Sequence, residues 1–348
     1  MKHERKTLLV TGGAGFIGAN FILFWLKKYP EDTIINLDAL TYAGNLENLR
    51  SVQSQANYKF IHGSINNIEL INQIMPDVDW VVHFAAESHV DRSITDPSLF
   101  LETNVIGTHT LLKAALKHKV SRFHHVSTDE VFGSLPLNSP EQFTEETAYD
   151  PRSPYSASKA SSDHLVRAYG ETFGLAYTIT NCSNNYGPYQ FPEKLIPLAI
   201  TNLIEQKPIP IYGDGKQVRD WLFVFDHCSA IEAVLNRGKT SETYLVGGLT
   251  EDVPNIDVAQ MILKAFNQSD AYLEHVPDRA GHDRRYSVNW SKIKEELGWK
   301  PTVSFEEGLS QTIAWYSDNQ DWWQPLKYRE NSYFANNYGT RSSQVPRD

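Results

Sequence analysis

Residues 126–133 read Val-Ser-Thr-Asp-Glu-Val-Phe-Gly, setting the Thr128 hydroxyl beside two carboxylates, Asp129 and Glu130. Neighbouring carboxylates repel when both ionise, and a shielded site can hold one protonated while the other stays charged. That division suits acid/base chemistry at adjacent atoms. The competing readings are a helix N-cap and an acid pair on an exposed loop. Downstream, Tyr155 and Lys159 are four residues apart in "YSASK". On a helix that spacing gives one face. An ammonium near a phenol favours the phenolate and lowers a pKa that is otherwise about 10. A phenolate can take the proton of a sugar hydroxyl while hydride leaves the same carbon. Taken alone, the pair is more often an ordinary helix-surface contact.

The hydride needs an acceptor, and the N-terminal region supplies a place for one. "TGGAGFIG" sets Gly12, Gly15 and Gly18 between an apolar run and a helical pattern. Glycines there allow a tight turn and let backbone N–H groups approach a pyrophosphate at a helix N-terminus. The spacing is G-x-x-G-x-x-G rather than G-x-G-x-x-G. Asp38 follows twenty residues after Gly18, at the end of the strand-like "TIINLD". A carboxylate there can bind both adenosine-ribose hydroxyls and repels a 2′-phosphate, which favours NAD over NADP. The alternative is a tight turn followed by a solvated acid.

These groups need a scaffold that brings strand ends together. "KTLLVTG", "TIINLD", "YKFIHGS", "VDWVVHFAA", "RFHHVST" and "AYTITNCS" read as buried strands. Helical patterns lie between several of them: "FIGANFILFWLKKY", stopping at Pro30, then "NIELINQIM", a long helix over 98–120, and "YSASKASSDHLVRAYGETFG". Alternation of this kind predicts an α/β fold with a Rossmann-like, doubly wound parallel sheet. The chain must leave ideal strand geometry near Thr128, because successive strand side chains alternate faces. After Asn184 the pattern loosens into Pro-, Gly- and aromatic-rich segments, which predicts a smaller C-terminal substrate-binding lobe on the sheet's carboxyl edge. We therefore expect a dinucleotide-binding domain over 1–184, a lobe over 185–330 interleaved with it, and a polar tail over 331–348. His124 and His125 read as strand or core residues rather than ligands.

Bulk composition sets limits. The chain has 348 residues, 41% hydrophobic and 21% charged, with a formal net charge of −10. That balance argues against a nucleic-acid surface. Two cysteines, Cys182 and Cys228, make no disulfide framework and no metal cluster. The N-terminus lacks a signal-peptide pattern and no apolar run is long enough to span a bilayer, so a cytoplasmic location without membrane association is expected.

Taken together, "VTGGAGFIGANF", "LDALTYAGNLENL", "HFAAESHVDRSI", "ETNVIGT", "VSTDEVFG", "SPYSASKA", "NCSNNYGPYQFPEKLIP", "PIYGDGKQVRDW" and "PDRAGHDRRYS" resemble the nucleotide-sugar 4,6-dehydratases of the extended short-chain dehydrogenase/reductase family. They cover the chain from Thr7 to about Trp315, and "STDEVFG" and "GHDRRYS" are the most specific. The resemblance implies a redox-neutral rearrangement of a nucleotide glucose. Tyr155, with Lys159, would remove the C4 hydroxyl proton. Thr128 would hold the C4 oxygen, Glu130 would take the C5 proton, and Asp129 would protonate the departing C6 hydroxyl. For NAD the matching positions are Gly12, Gly15, Phe16, Ile17, Asp38, Thr41 and Gly44. Further along they are Ser64 with Ile65, then Ala85, Ala86, Thr103, Tyr155, Lys159 and Asn185. Ser64 stands where many relatives carry Asp, near the expected adenine amino group.

For the substrate the resemblance points to Ser88, Thr128, Asn184, Lys194, Leu195 and Arg219, and to Asn255, Arg279 and His282. The cations suit a pyrophosphate, and Pro210 and Tyr212 would flank the pyrimidine. Each cation alone could be a solvated surface charge. The family also implies a homodimer through a four-helix bundle, to which Leu111, Leu112, Leu116 and Leu165 could contribute unless they pack only on the sheet. Thymine and uracil differ by one methyl, so dTDP-glucose and UDP-glucose both stay open as substrates, with dTDP-glucose favoured on overall resemblance. A UDP-hexose 4-epimerase or UDP-glucuronate decarboxylase would keep Tyr155, Lys159 and NAD without needing both acids. A non-catalytic dinucleotide-sensing module would use none of the four groups.

Overall fold

The computed structural model describes residues 4–249 and 253–329. The expected polar tail lies outside these residues. Seven parallel strands form the central sheet: β1 (Thr7–Thr11), β2 (Thr33–Asp38), β3 (Tyr58–His62), β4 (Trp80–His83), β5 (Arg122–Thr128), β6 (Tyr177–Cys182) and β7 (Glu242–Val246). Their spatial order is β3-β2-β1-β4-β5-β6-β7. The order reverses beside β1, and ligands of such sheets bind outside the carboxyl ends of the strands at that switch.

Both faces of the sheet are covered, which is why its strands read as continuous apolar runs. In β1 Leu9 faces one core, with Leu111, Leu112, Phe123, Val166 and Ile179. Leu8 and Val10 face the other, with Phe21, Ile22, Trp25, Val126 and Ile231. A third core, including Tyr186, Ile200, Trp221, Ile262 and Trp323, belongs to the later part of the chain. Three two-stranded ladders carry that region: Trp221–Phe223 on Asn184–Tyr186, Val253–Pro254 on Val218–Arg219, and Leu273–Val276 on Ile209–Tyr212. The seventh sheet strand also comes from this later region, so the two parts of the chain interleave.

The expected long helix over 98–120 forms with a change of winding. It runs as α-helix over Pro97–Phe100, π-helix over Leu101–Gly107 and α-helix again over Thr108–Lys117. A long-range clamp accompanies the π stretch. Asn104 is buried; its side-chain oxygen accepts from Glu87 N at 2.9 Å, and its amide donates to Glu87 O at 2.9 Å and Ser158 Oγ at 2.8 Å. Periodicity in the sequence carries no sign of such bonds. Among the described residues no helix is long and apolar enough to cross a membrane.

Candidate active site

The glycine loop turns between β1 and the helix Phe16–Lys28. Gly12 has φ +69°, and a Cβ there would lie 2.7 Å from the backbone of Ala85. At Gly15 a Cβ would meet only Gly12 O, at 3.3 Å. Gly15 is also the helix N-cap and makes no side-chain cap, so the first N–H groups of the helix have no side-chain acceptor from it. That is a cradle for an anion. Asp38 is buried at the end of β2. Its Oδ2 accepts from Ala14 N at 2.9 Å and its Oδ1 from Leu40 N at 2.7 Å. Burial raises its pKa while those two N–H groups pull it down. Each oxygen keeps a lone pair for a ribose hydroxyl. These residues fit the adenosine and pyrophosphate of NAD, and the carboxylate opposes a 2′-phosphate. Ser64 is exposed, and its hydroxyl closes a local turn by accepting from Asn66 N at 3.1 Å.

β5 ends at Thr128, and a single 3-10 turn, Asp129–Phe132, follows. Thr128 caps it, its hydroxyl accepting from Glu130 N at 3.2 Å. Gly133 ends the turn at φ +84°, where a Cβ would lie 2.5 Å from Asp150 O. The two acids are thus turn residues, yet Asp129 is only 1% exposed, which removes the reading of an exposed loop pair. Burial, then Glu130 and Asp220, push the Asp129 carboxyl well above the usual carboxylate range. Burial also raises Glu130, but Arg279, Lys194 and Arg219 pull it down. Asp129 Oδ2 is buried without a hydrogen-bond partner among the described residues. The arrangement favours a protonated Asp129 beside a more easily ionised Glu130.

Tyr155 and Lys159 stand on the helix Pro154–Phe173. Its start is fixed by Pro154 and by a capping box in which Ser153 and Ser156 exchange hydrogen bonds at 3.0 Å. Both side chains are buried. Lys159 Nζ donates to Val126 O at 2.9 Å and lies 3.4 Å from His125 Nε2. The phenol departs from the sequence-based expectation. Burial, then Glu130 and Cys182, drive the Tyr155 pKa well above 10, and Thr128 opposes them. The spacing rule counted the nearby ammonium and not the desolvation. His124 and His125 are fully buried in β5, with His124 Nδ1 2.9 Å from Thr178 Oγ1.

Cations gather at the far end of the cleft. Arg219 is 4% exposed; it donates to Val218 O at 2.8 Å and Asp283 O at 3.1 Å and lies 4.3 Å over the Tyr286 ring. Arg279 Nη1 lies 3.6 Å from Asp91, which also accepts from Tyr212 OH at 3.0 Å. His282 Nδ1 is 2.5 Å from Asp278, while burial, Arg279 and Arg219 lower its pKa. Lys194 Nζ donates to Ser88 O at 3.1 Å. Asn184 Oδ1, Asn255 Oδ1 and Arg279 Nε are buried without hydrogen-bond partners among the described residues, which marks this end for a polar ligand.

Every site residue expected from the sequence lines one cleft of about 470 Å³. Gly12, Gly15, Phe16, Ile17, Asp38, Thr41, Gly44, Ser64, Ile65, Ala85, Ala86 and Thr103, the positions expected to hold NAD, line its glycine-loop half. Ser88, Asn184, Asn185, Lys194, Leu195, Pro210, Tyr212, Arg219, Asn255, Arg279 and His282 line the remainder, with the acid turn and Tyr155–Lys159 between. Other lining residues were not anticipated. Tyr42 donates to Glu193 at 2.8 Å, and the Arg92 guanidinium lies 3.7 Å over the Tyr42 ring. Asp91, Glu193 and Tyr286 sit inside "HVDRSI", "FPEKLIP" and "GHDRRYS", so the signal was present in the motifs without marking which residue faces inward. Among the described residues no cluster of three or more His, Cys, Asp or Glu is set to hold a metal.

Comparison with known proteins reaches the same place. The family model for GDP-mannose 4,6 dehydratase matches residues 9–312. The dTDP-glucose 4,6-dehydratase of Xanthomonas campestris pv. campestris is 51% identical over 336 residues, covering 91% of this chain and 94% of that protein. The chain belongs to the dTDP-glucose 4,6-dehydratases of the extended short-chain dehydrogenase/reductase family. The Salmonella typhimurium member is 50% identical over 340 residues, covering 90% of this chain and 94% of its own. The Streptomyces venezuelae enzyme DesIV, solved with NAD and TYD bound, superposes with a TM-score of 0.90 at 49% identity, over 92% of this chain and all of that one. A Thermotoga maritima UDP-glucose 4-epimerase shares the fold at TM-score 0.82 and 28% identity, over 90% of this chain and 99% of that one.

Proposed function

We propose that this chain converts dTDP-glucose to dTDP-4-keto-6-deoxyglucose and water. NAD, held by the glycine loop, Asp38 and the lining from Ser64 to Thr103, supplies hydride acceptance at C4 and hydride return at C6 when bound. The protein's own groups move the protons. Burial raises the Tyr155 pKa, and the positive nicotinamide ring of bound NAD, with Lys159, would bring it back down; as the phenolate, Tyr155 takes the C4 hydroxyl proton while Thr128 hydrogen-bonds that oxygen. With C4 at the ketone level, the C5 hydrogen is acidic and Glu130 removes it. Asp129 gives its proton to the departing C6 hydroxyl, and water leaves. Lys194, Arg219 and Arg279 hold the diphosphate, with Pro210 and Tyr212 beside the base.

One observation carries this reading. Asp129 is buried, holds its proton well above the carboxylate range and adjoins a second acid under the field of three cations. A 4-epimerase leaves the C6 hydroxyl in place and a glucuronate decarboxylase expels CO2, so neither needs an acid to protonate a departing C6 hydroxyl. The test is incubation of the purified protein with dTDP-glucose, followed by the alkali-induced ultraviolet absorbance of a 4-keto-6-deoxy sugar. UDP-glucose is run in parallel. Faster turnover of dTDP-glucose is expected; no product from any nucleotide glucose overturns the proposal.

We also propose a cytoplasmic homodimer. Leu111 and Leu112 are fully buried in the core and serve the sheet. Leu116 and Leu165 are half-buried, and the apolar surface left outside on the same helix pair comprises Leu99, Leu101, Ile106 and Phe173, each 51–55% exposed. Light scattering at micromolar concentration should give twice the chain mass for the parent and one chain mass for a Leu101→Glu, Ile106→Glu variant.

A further inference from the structure

The reaction above makes no use of Asp163, yet this carboxylate touches both halves of the apparatus. It lies on the Tyr155–Lys159 helix, four residues past Lys159, and is fully buried. Its Oδ2 accepts three hydrogen bonds: Ser127 Oγ at 2.9 Å, Tyr149 OH at 2.8 Å and Asn181 Nδ2 at 3.1 Å. Ser127 directly precedes Thr128, and Asn181 also donates to Thr128 O at 3.0 Å. The strand end from which Asp129 and Glu130 depart is therefore tied to the helix that bears the phenol. The other oxygen, Oδ1, lies 3.2 Å from His125 Nε2, the ring atom that Lys159 Nζ approaches at 3.4 Å.

We propose, resting on the dehydratase reading, that Asp163 is a positioning residue that locks the acid turn to the Tyr155–Lys159 helix and supplies the buried counter-charge that keeps Lys159 cationic. Without Asp163, the buried Lys159 and His125 face each other with no anion beside them. A carboxylate with three donors on one oxygen is held as the anion. Burial lowers the Lys159 pKa, and Asp163 followed by Cys182 oppose that fall. Burial and Lys159 keep His125 down at about 4, so the imidazole between them is neutral and carries no competing charge. Arg167, one turn further along, donates to Tyr149 OH at 2.9 Å and stands behind the same carboxylate. Without the anion, Lys159 loses its proton at lower pH, and the Tyr155 phenol loses the cation that favours its ionisation.

The test compares the parent holoenzyme with Asp163→Asn, which keeps the shape and removes the charge. We expect kcat to fall by about tenfold and the KM for dTDP-glucose to stay within about twofold. The rising limb of the kcat–pH profile should move up by about one unit, one unit being a tenfold effect. Tyr149→Phe removes one hydrogen bond and no charge, and should leave that limb in place. Ser127→Ala loses one tie and should lower kcat by about fivefold, the value of one hydrogen bond, again without moving the limb. An unmoved limb in folded Asp163→Asn, or an equal shift in Tyr149→Phe, overturns the counter-charge. Should Asp163→Asn not fold, an unchanged kcat in Ser127→Ala overturns the positioning role. Ultraviolet titration of the Tyr155 phenol without substrate, read as the difference from the matching Tyr155→Phe holoenzyme with and without Asp163→Asn, should place the phenol about one unit higher in Asp163→Asn; an equal value overturns the counter-charge. Failure of the dehydratase reading therefore leaves this test standing.

Discussion

At the scale of single residues the acid pair carries the sharpest expectations. Glu130→Gln keeps Tyr155 and the hydride acceptor but loses the base for C5. Kcat should drop by about 10²–10⁴-fold, and single-turnover absorbance should show reduced nicotinamide building up without release of deoxy product. Asp129 makes the opposite kind of statement about stability. Its folded pKa is raised above the unfolded value, so the native state binds the proton more tightly than the unfolded chain does. That preference favours the fold below the usual carboxylate range and is lost as pH rises toward the raised value. Asp129→Asn removes the penalty. Its melting temperature should exceed the parent's by a few degrees at neutral pH and match it near pH 3, while dehydration falls. Equal melting curves at neutral pH would mean that the buried carboxyl is not strained. The residue types at 128–130 were readable in sequence as acid/base chemistry because their adjacency is itself electrostatically costly. The Tyr155 pKa was not readable, because burial and Glu130 act through space and neither is visible in a four-residue spacing.

At the scale of elements, the strand-to-turn switch at Thr128 decides which groups converge. Gly133 closes that turn in a backbone region that side chains avoid, so Gly133→Ala should lower stability by about 1–3 kcal/mol, measured as a lower urea midpoint. Kcat should fall as well, because the contact with Asp150 O displaces the turn. A parent-like midpoint would show that the turn tolerates a Cβ. The helix start at Ser153 is a softer target: Ser153→Ala loses the capping box and should cost about 1 kcal/mol. Six strands and their helices were legible because apolar runs bounded by glycine or proline record a sheet covered on both faces. The winding at Leu101–Gly107 was not, since bonds to residues near 87 and 158 accompany it. Glu242–Val246 was missed for a related reason: five residues in a loosely patterned region give no period of their own, and pairing with β6 makes them a strand.

At the scale of the whole molecule, the final described helix, Gln320–Arg329, reaches back across the cleft's first wall. Trp322 Nε1 donates to Asn48 Oδ1 at 2.8 Å, and Asn48 donates to Ala14 O at 2.9 Å in the glycine loop. Arg329 donates to Tyr42 O. Trp322→Phe removes one hydrogen bond, worth about 1 kcal/mol, and should weaken NAD binding about fivefold in a calorimetric titration. Unchanged affinity would show that the glycine loop holds its shape unaided.

The interleaving of the sheet has a consequence during synthesis. When translation has delivered only residues 1–184, β6 lies at the margin of the sheet with its outer backbone groups unpaired, because its neighbour is still some sixty residues from being made. A bare margin of that kind invites pairing with other nascent chains. We expect truncated chains that stop before Glu242 to self-associate through this margin, which Glu242–Val246 covers in the full chain.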